Sequence, residues 1–333
     1  MKHIIYENGG GKSRNEVVDI MKGIAIVAMI IGHIPEMPDS AIRFIYSFHM
    51  PLFFLIAGYY SKISNDHRQY IMKSAKRLLI PYAFVICLTA VYGFLSTLPI
   101  HKWNEAPLIL ASGIYASSSE HHSMFMARVR PVNAMWFLFA LFWCRITYNY
   151  VLSKYDTLRS VLIISCISIV ATMIDFYIIN LPMAILPGLS AMMFYMIGFF
   201  YKKFRFEKWM IYVAFFCIFL YFVSLYNFRL SMDTCAYSNY PICVLGACGG
   251  TLLVMYISSL IKSINFIKLP LLWCGRLSMI ILCCHTLERN FHLIEVFAIP
   301  NDLLYIIIYR VVMPVLLTWA CTRLYFTKKI FQI

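Results

Sequence analysis

Charged residues are scarce in this chain, and acidic ones are the scarcest, with 15 Asp and Glu against 29 Lys and Arg among 333 residues. Charged residues make up 13% of the chain and hydrophobic residues 61%, with a mean hydropathy of +0.73. Soluble domains have about 25% charged residues, so this composition excludes an ordinary soluble protein. On a chain this apolar, the formal charge of +14 does not indicate a nucleic-acid partner.

Several other features are missing. The eleven cysteines include no C-x-x-C pair, so we predict neither a metal site nor a disulfide framework. Internal repeats, Gly/Ser linkers and low-complexity tracts are also absent from the sequence, so we expect one membrane domain over residues 1–333. The first apolar run begins late and has no small-residue cleavage site, so we expect it to remain in the protein as the first span.

Apolar stretches recur along the chain, and about ten of them approach the roughly 20 residues that a membrane-spanning helix needs. The predicted fold class is therefore all-α, a polytopic integral-membrane helix bundle of about ten transmembrane helices. A connection of about 99–133 is predicted to lie outside the membrane, on the extracytoplasmic side. The predicted spans are 18–35, 42–61, 78–98, 134–152, 160–178, 184–201, 209–226, 240–261, 270–288 and 303–322.

Most basic residues fall in alternate connections between these spans. The positive-inside rule then predicts that both the N-terminus and the C-terminus are cytosolic. The positive charge is interpreted as a signal of topology and of contact with membrane lipids, which are expected partners.

The segment KGIAIVAMIIGHI places Lys22 and His33 in an otherwise aliphatic run. Ionisable groups at membrane depth are energetically expensive, which makes both residues functional candidates. Eleven residues at 3.6 per turn return to nearly the same helix face, so the two side chains are predicted to share one stripe, roughly 16 Å apart along the axis. Asp19 lies on that stripe one turn before Lys22.

A second histidine, His49, occurs in SFHMPLFFLIAG, two residues before Pro51. Proline removes a backbone donor and leaves a carbonyl that a neighbouring polar group must satisfy, so a purely structural role for His49 stays open beside a catalytic one.

Basic residues cluster in KSAKRLLIPY, just before the third predicted span. Lys73, Lys76 and Arg77 could anchor the helix at anionic headgroups or bind the phosphates of a ligand. The nearby Lys22 favours a ligand site, because the two basic groups could converge.

The ninth predicted span contains CGRLSMIILCCHTLE, with Arg276, Ser278 and His285 as pocket candidates. On a continuous helix, nine residues place Arg276 and His285 half a turn apart, so they are not expected to face one pocket wall together. For His285, a structural hydrogen bond between helices and a catalytic role are both open. Trp136 begins the fourth span at its outer end, where an aromatic residue is expected in any membrane protein, and is a further pocket candidate.

Taken in order, these segments resemble acyltransferase family 3, a family of integral-membrane O-acyltransferases, and in particular its fucose 4-O-acetylase-like branch. The resemblance extends from residue 14 to residue 285. It is carried by RNEVVDIMKGIAIVAMIIGH, SFHMPLFFLIAG, KRLLIPY, WFL, FYMIG and GRLS, with a histidine seven positions after that serine.

The resemblance implies transfer of an acyl group, usually acetyl, from cytosolic acyl-CoA to a sugar hydroxyl of a lipid-linked or exported glycan. It also implies a bacterial inner membrane, with acetyl-CoA as donor substrate and no permanently bound cofactor. The family's signature of a basic residue, ten positions and a histidine falls on Lys22 and His33, although many members have arginine at the first position. The basic stretch of the family matches Lys73, Lys76 and Arg77. Some relatives have an acidic residue before the F-Y-x-x-G block, where this chain has LPGLS.

Transfer to a hydroxyl needs a base that titrates near neutrality, and imidazole suits that task. His33 is the predicted base. His49 is predicted to orient the acceptor or to polarise the thioester carbonyl, and Asp19 to position Lys22.

Two other classes remain open from the sequence. A proton-coupled secondary transporter also has many spans and buried titratable residues, although few acidic groups occur in these spans. A glycan or lipid carrier without enzymatic activity would use the basic residues only for lipid headgroups. Binding of acyl-CoA distinguishes the enzyme from both.

Overall fold

The computed structural model describes residues 14–97, 105–116, 132–179, 181–203, 208–227, 229–297, 300 and 302–331. In these ranges the chain is almost entirely helical. The helices are α1 (Glu16–Gly32), α2 (Asp39–Tyr46), α3 (His49–Tyr59), α4 (His67–Thr97), α5 (Glu105–Tyr115), α6 (Trp136–Lys154), α7 (Thr157–Tyr177), α8 (Ile185–Ser190), α9 (Met192–Lys203), α10 (Lys208–Asn227), α11 (Tyr240–Ile261), α12 (Asn265–Arg276), α13 (Ser278–Asn290), α14 (Leu293–Val296), α15 (Leu303–Cys321) and α16 (Tyr325–Phe331).

Within the described ranges, 7 helices are long and apolar enough to cross a membrane, or up to 9 if two sharply bent helix pairs each count as one span. This confirms the prediction of a helical membrane bundle. The predicted number of ten spans is not confirmed within the described residues. The predicted first span corresponds to α1, which has only 17 residues and is short for a crossing on its own. Of the predicted 99–133 connection, the structure describes α5 and the residues from 132 onward, and the rest lies outside the described residues.

Three predicted continuous spans are interrupted. The span predicted at 42–61 consists of α2 and α3. The span at 184–201 consists of a 3-10 turn (Pro182–Ala184) with α8, bent by 49° against α9. The span at 270–288 consists of α12 and α13, bent by 78°. The last bend is centred on Leu277, between Arg276 and Ser278. The straight helix assumed in separating Arg276 from His285 is therefore not found, although the two side chains do lie apart, Arg276 at Asp19 and His285 at His33.

A short hairpin is the one described element that departs from an all-helical chain. Its strands are β1 (Leu230–Ser231) and β2 (Ala236–Tyr237), which pair antiparallel between α10 and α11. Strands of two residues are too short to produce a recognisable period in the sequence.

Helix α1 lies inside the bundle, against α3, α11 and α12. Its closest approach is to α12, where Gly23 lies against the backbone of Leu271 and Gly275 lies against the backbone of Asp19. Small residues allow the backbones of membrane helices to come this close. The contact also brings the end of α12, with Arg276, to the first turns of α1.

Candidate active site

Two histidines are held by backbone carbonyls in the same way. His33 caps the C-terminal end of α1, and its Nδ1 lies 2.7 Å from the Met29 carbonyl oxygen. Nδ1 of His49 lies 2.8 Å from the Ile45 carbonyl oxygen. A carbonyl only accepts hydrogen bonds, so Nδ1 is the donor in both rings and the neutral ring keeps its lone pair on Nε2. Each histidine therefore has a nitrogen that can take a proton.

The structure brings the three predicted histidines together around Tyr46. The ring centroid of His33 lies 5.7 Å from that of His285 and 6.0 Å from that of Tyr46. The Tyr46 and His49 centroids are 5.1 Å apart. His49 and His285 are buried, and these four side chains are called the histidine cluster below.

The structural alternatives for His49 and His285 have different outcomes. His49 binds a carbonyl at the break between α2 and α3, which is the kind of local role that Pro51 suggested. Neither ring nitrogen of His285 has a hydrogen-bond partner among the described residues, although Nδ1 lies 4.0 Å from a carboxylate oxygen of Glu288. The bonded histidine between helices that was considered for His285 is thus not found in the described part of the chain. A buried ring with no hydrogen bond is suited to binding a ligand.

Sequence reasoning missed three charged residues beside the histidine cluster. Glu288 is fully buried, and its two carboxylate oxygens lie 2.7 and 2.9 Å from Nη1 of Arg310 on α15. Arg289 donates to the His33 carbonyl oxygen over 3.4 Å. Glu288 follows His285 by three residues, so its position on the same face of α13 was a usable signal.

A second polar group surrounds Asp19 in α1, whose carboxylate is buried. Its oxygens lie 2.7 Å from Lys22 Nζ, 3.0 Å from Arg14 Nε and 3.5 Å from Arg276 Nε. These four side chains, called the Asp19 cluster below, combine three cations with one carboxylate. The excess positive charge can attract an anion.

The basic residues of α4 are not brought together. Arg77 interacts electrostatically with Lys22, which places it beside the Asp19 cluster. Lys76 instead lines an apolar groove with Phe326 and Ile330 at α16. Lys73 is exposed. Lys76 and Arg77 are consecutive and point about 100° apart, so these two side chains leave α4 in different directions.

The remaining two pocket candidates, Trp136 and Ser278, belong to neither cluster. Trp136 is buried in the main hydrophobic core, and Ser278 is the partly exposed first residue of α13, at the bend. In the residues that the structure describes, no group of three or more His, Cys, Asp and Glu could hold a metal ion.

Helix α1 connects the two polar regions, since Lys22 lies near its start and His33 at its end, roughly 16 Å further along the axis. The bundle thus combines a region of excess positive charge at one end of α1 with imidazoles at the other. Together, these features define an integral-membrane protein with an internal polar site.

A family model described as an acyltransferase domain, that of acyltransferase family 3, matches residues 15–323. The match covers most of the chain, so the chain belongs to this family, and the resemblance is confirmed at that level. Membership supports a membrane acyltransferase rather than a transporter or a carrier. No curated protein and no solved structure matches the chain.

Proposed function

We propose that this protein is a fucose 4-O-acetylase-like O-acetyltransferase of a bacterial inner membrane, with both termini in the cytosol. It transfers the acetyl group of cytosolic acetyl-CoA to a hydroxyl of a cell-surface or lipid-linked glycan, with no permanently bound cofactor. Family membership supports acyl transfer. The Asp19 cluster and the histidine cluster, at opposite ends of α1, support the donor and the base assignments.

One observation carries the proposal. The Nδ1–H of His33 donates to the Met29 carbonyl over 2.7 Å, which fixes the ring and leaves Nε2 as the proton acceptor. In the reaction, Nε2 takes the proton of the acceptor hydroxyl while the hydroxyl oxygen attacks the thioester carbonyl carbon. The carbon–sulfur bond then breaks, and the thiolate of CoA takes the proton from the imidazolium. General base catalysis of this kind contributes roughly 10²–10⁴-fold to the rate.

His49 is assigned to the acceptor rather than to the thioester carbonyl. Its Nδ1–H is used by the Ile45 carbonyl, so the neutral ring has only an acceptor nitrogen left. An oxyanion needs a hydrogen-bond donor. Nε2 of His49 can instead accept a hydrogen bond from a second hydroxyl of the sugar and orient it.

The phosphates of the donor are assigned to the Asp19 cluster. Asp19 holds Lys22 at 2.7 Å, so the ammonium is already ordered when a ligand arrives. Arg14 and Arg276 are partly exposed on the outside of this cluster and are available to an incoming anion. Guanidinium groups suit phosphate because they present paired donors.

The experiment measures acetyl-CoA binding and acetyl transfer by the purified, detergent-solubilised protein. We expect Lys22→Ala to weaken binding, and His33→Ala to bind acetyl-CoA but lose about 10²–10⁴-fold in turnover. The matched control is Lys262→Ala, which removes an exposed lysine at the end of α11 and is expected to change neither quantity.

Absence of acetyl-CoA binding by a folded wild-type protein would refute the donor assignment. Full transfer activity of His33→Ala would refute the base. A His49→Gln variant is expected to raise the KM for the glycan acceptor more than the KM for acetyl-CoA. Unchanged kinetics in that variant would remove His49 from the site.

A further inference from the structure

Arg145 is a cation in α6 without a carboxylate partner. Its side chain is half-buried, and its guanidinium carbon lies 5.6 Å from the centroid of the Tyr70 ring. Nε is buried and has no hydrogen-bond partner, and no carboxylate of the described residues lies within ion-pair distance. A cation on a membrane helix is costly unless it is paired, so an arginine without an anion indicates a site for one.

Two hydroxyl groups of α4, those of Tyr70 and Ser74, are also buried without a hydrogen-bond partner among the described residues. They are one turn apart and share a helix face, and the guanidinium of Arg145 lies over the Tyr70 ring. Helices α4 and α6 pack against each other. Three unused donors therefore belong to the facing helices α4 and α6, and buried polar groups are normally satisfied.

A second guanidinium adds to the positive charge. Arg77 follows Ser74 on the same face of α4 and interacts electrostatically with Arg145. Two like charges repel each other when no anion lies between them. Arg77 is also the electrostatic neighbour of Lys22, so this interface is continuous with the Asp19 cluster.

The interface lies at the polar end of α4. Tyr70 is in the first turn of α4, and the ring of His67, which begins that helix, lies 3.3 Å from the amide nitrogen of Asn149 on α6. Arg145 is one turn before Asn149 in α6, and its guanidinium lies at the level of Tyr70. Tyr70 is at the predicted cytosolic end of α4, while Arg145 is in the middle of α6, so a water-soluble anion approaches this site from the Tyr70 side.

We propose that Arg145, Tyr70 and Ser74 form a phosphate subsite for the acyl-CoA donor, an inference that rests on the proposed function. Arg145 provides the charge, and the two hydroxyls donate to phosphate oxygens. Guanidinium groups and hydroxyls match the acceptor-only oxygens of a phosphate ester. A phospholipid headgroup presents the same chemistry, and the experiment distinguishes the two sources.

The test compares two donors with full-length protein in detergent: acetyl-CoA, and S-acetylpantetheine, which has the same thioester arm without phosphates. Arg145→Gln is expected to weaken acetyl-CoA binding about tenfold or more, because a hydrogen bond to a charged group is lost. The same variant is expected to bind S-acetylpantetheine as the wild type does. Arg145→Lys, which keeps the charge, is expected to be intermediate.

The control is Arg159→Gln, which removes an exposed arginine paired with Asp156 at 3.3 Å and is expected to leave binding of both donors unchanged. Should Arg145→Gln not fold, Ser74→Ala and Tyr70→Phe each remove one hydroxyl, and each is expected to weaken binding of acetyl-CoA but not of S-acetylpantetheine.

Wild-type affinity for acetyl-CoA in a folded Arg145→Gln variant would overturn the subsite. An equal loss of affinity for acetyl-CoA and for S-acetylpantetheine would overturn it as well. In nanodiscs, Arg145-dependent binding of phosphatidylglycerol with acetyl-CoA binding unaffected would assign the site to lipid and overturn the proposal. Failure of the wild type itself to bind acetyl-CoA would instead count against the proposed function.

Discussion

The buried ion pair between Glu288 and Arg310 gives a quantitative prediction about stability. The Glu288 side chain is 0% exposed and that of Arg310 15%, and one guanidinium nitrogen contacts both carboxylate oxygens at 2.7 and 2.9 Å. The pair joins α13 to α15, one turn from His285. Its loss is therefore expected to affect both the free energy of unfolding and the histidine cluster.

Removal of one partner leaves a buried charge without compensation, which typically lowers the free energy of unfolding by about 3–5 kcal/mol. We expect this loss for Arg310→Met. The double variant Glu288→Leu with Arg310→Met removes both charges and keeps most of the volume, and its free energy of unfolding is expected to be close to that of the wild type. The reference is Asp156→Asn, which breaks an exposed pair with Arg159 and is expected to cost at most about 1 kcal/mol.

The assay is unfolding in mixed detergent micelles, followed by tryptophan fluorescence. It compares the wild type, Arg310→Met, Asp156→Asn and the double variant. Recovery of stability in the double variant would identify the loss in Arg310→Met as the cost of an unpaired buried carboxylate. An Arg310→Met variant no less stable than Asp156→Asn would refute this reasoning. Acetyl transfer by the stable double variant then reports whether the pair also positions His285.

Two further predictions concern packing. Gly275→Ala is expected to reduce the free energy of unfolding by about 1–3 kcal/mol and to weaken acetyl-CoA binding, because the added methyl group meets the backbone of Asp19 and displaces Arg276. Thermal melts measure the first effect and acetyl-CoA titrations the second. Wild-type values in both assays would contradict this prediction. Asn149→Leu is expected to lower the free energy of unfolding by about 1–3 kcal/mol, because the side-chain amide binds both the backbone nitrogen and the carbonyl of Ser64 at 2.8 and 3.0 Å. Hydrogen exchange at the Ser64 amide is expected to be faster in this variant. Unchanged exchange would contradict the prediction.

Composition was sufficient to predict the helical membrane class, because scarcity of charge over 333 residues leaves few alternatives. The spacing of Lys22 and His33 also predicted that one helix would connect a cationic region to a histidine. His33 itself lies just past the end of α1, as its cap. That detail depends on the Met29 carbonyl and has no signature in the hydropathy pattern.

The bends were not predicted, because each segment as a whole is apolar enough for a span. Polar or helix-breaking residues do occur at these points, such as Ser47, Gly188 and Gly275, but continuous membrane helices tolerate them too. Leu277 adopts a non-helical conformation between α12 and α13 without any proline at that point. Arg145 was visible in the sequence as a cation within a span, but its significance depends on the unpaired hydroxyls of α4. Contacts between residues far apart in the chain are set by packing, which a single sequence does not report.

Because of the bend between them, α12 and α13 contact opposite ends of α1, at Asp19 and at His33. Gly275 lies at Asp19 and Leu271 at Gly23, so α12 crosses α1 in the antiparallel sense. A straight continuation of α12 would run past the start of α1 and away from His33. The 78° bend redirects the chain, and His285 on α13 then reaches His33 at the far end. The bend at Leu277 thus couples the Asp19 cluster to the histidine cluster, so a change that straightens it is expected to separate donor binding from catalysis.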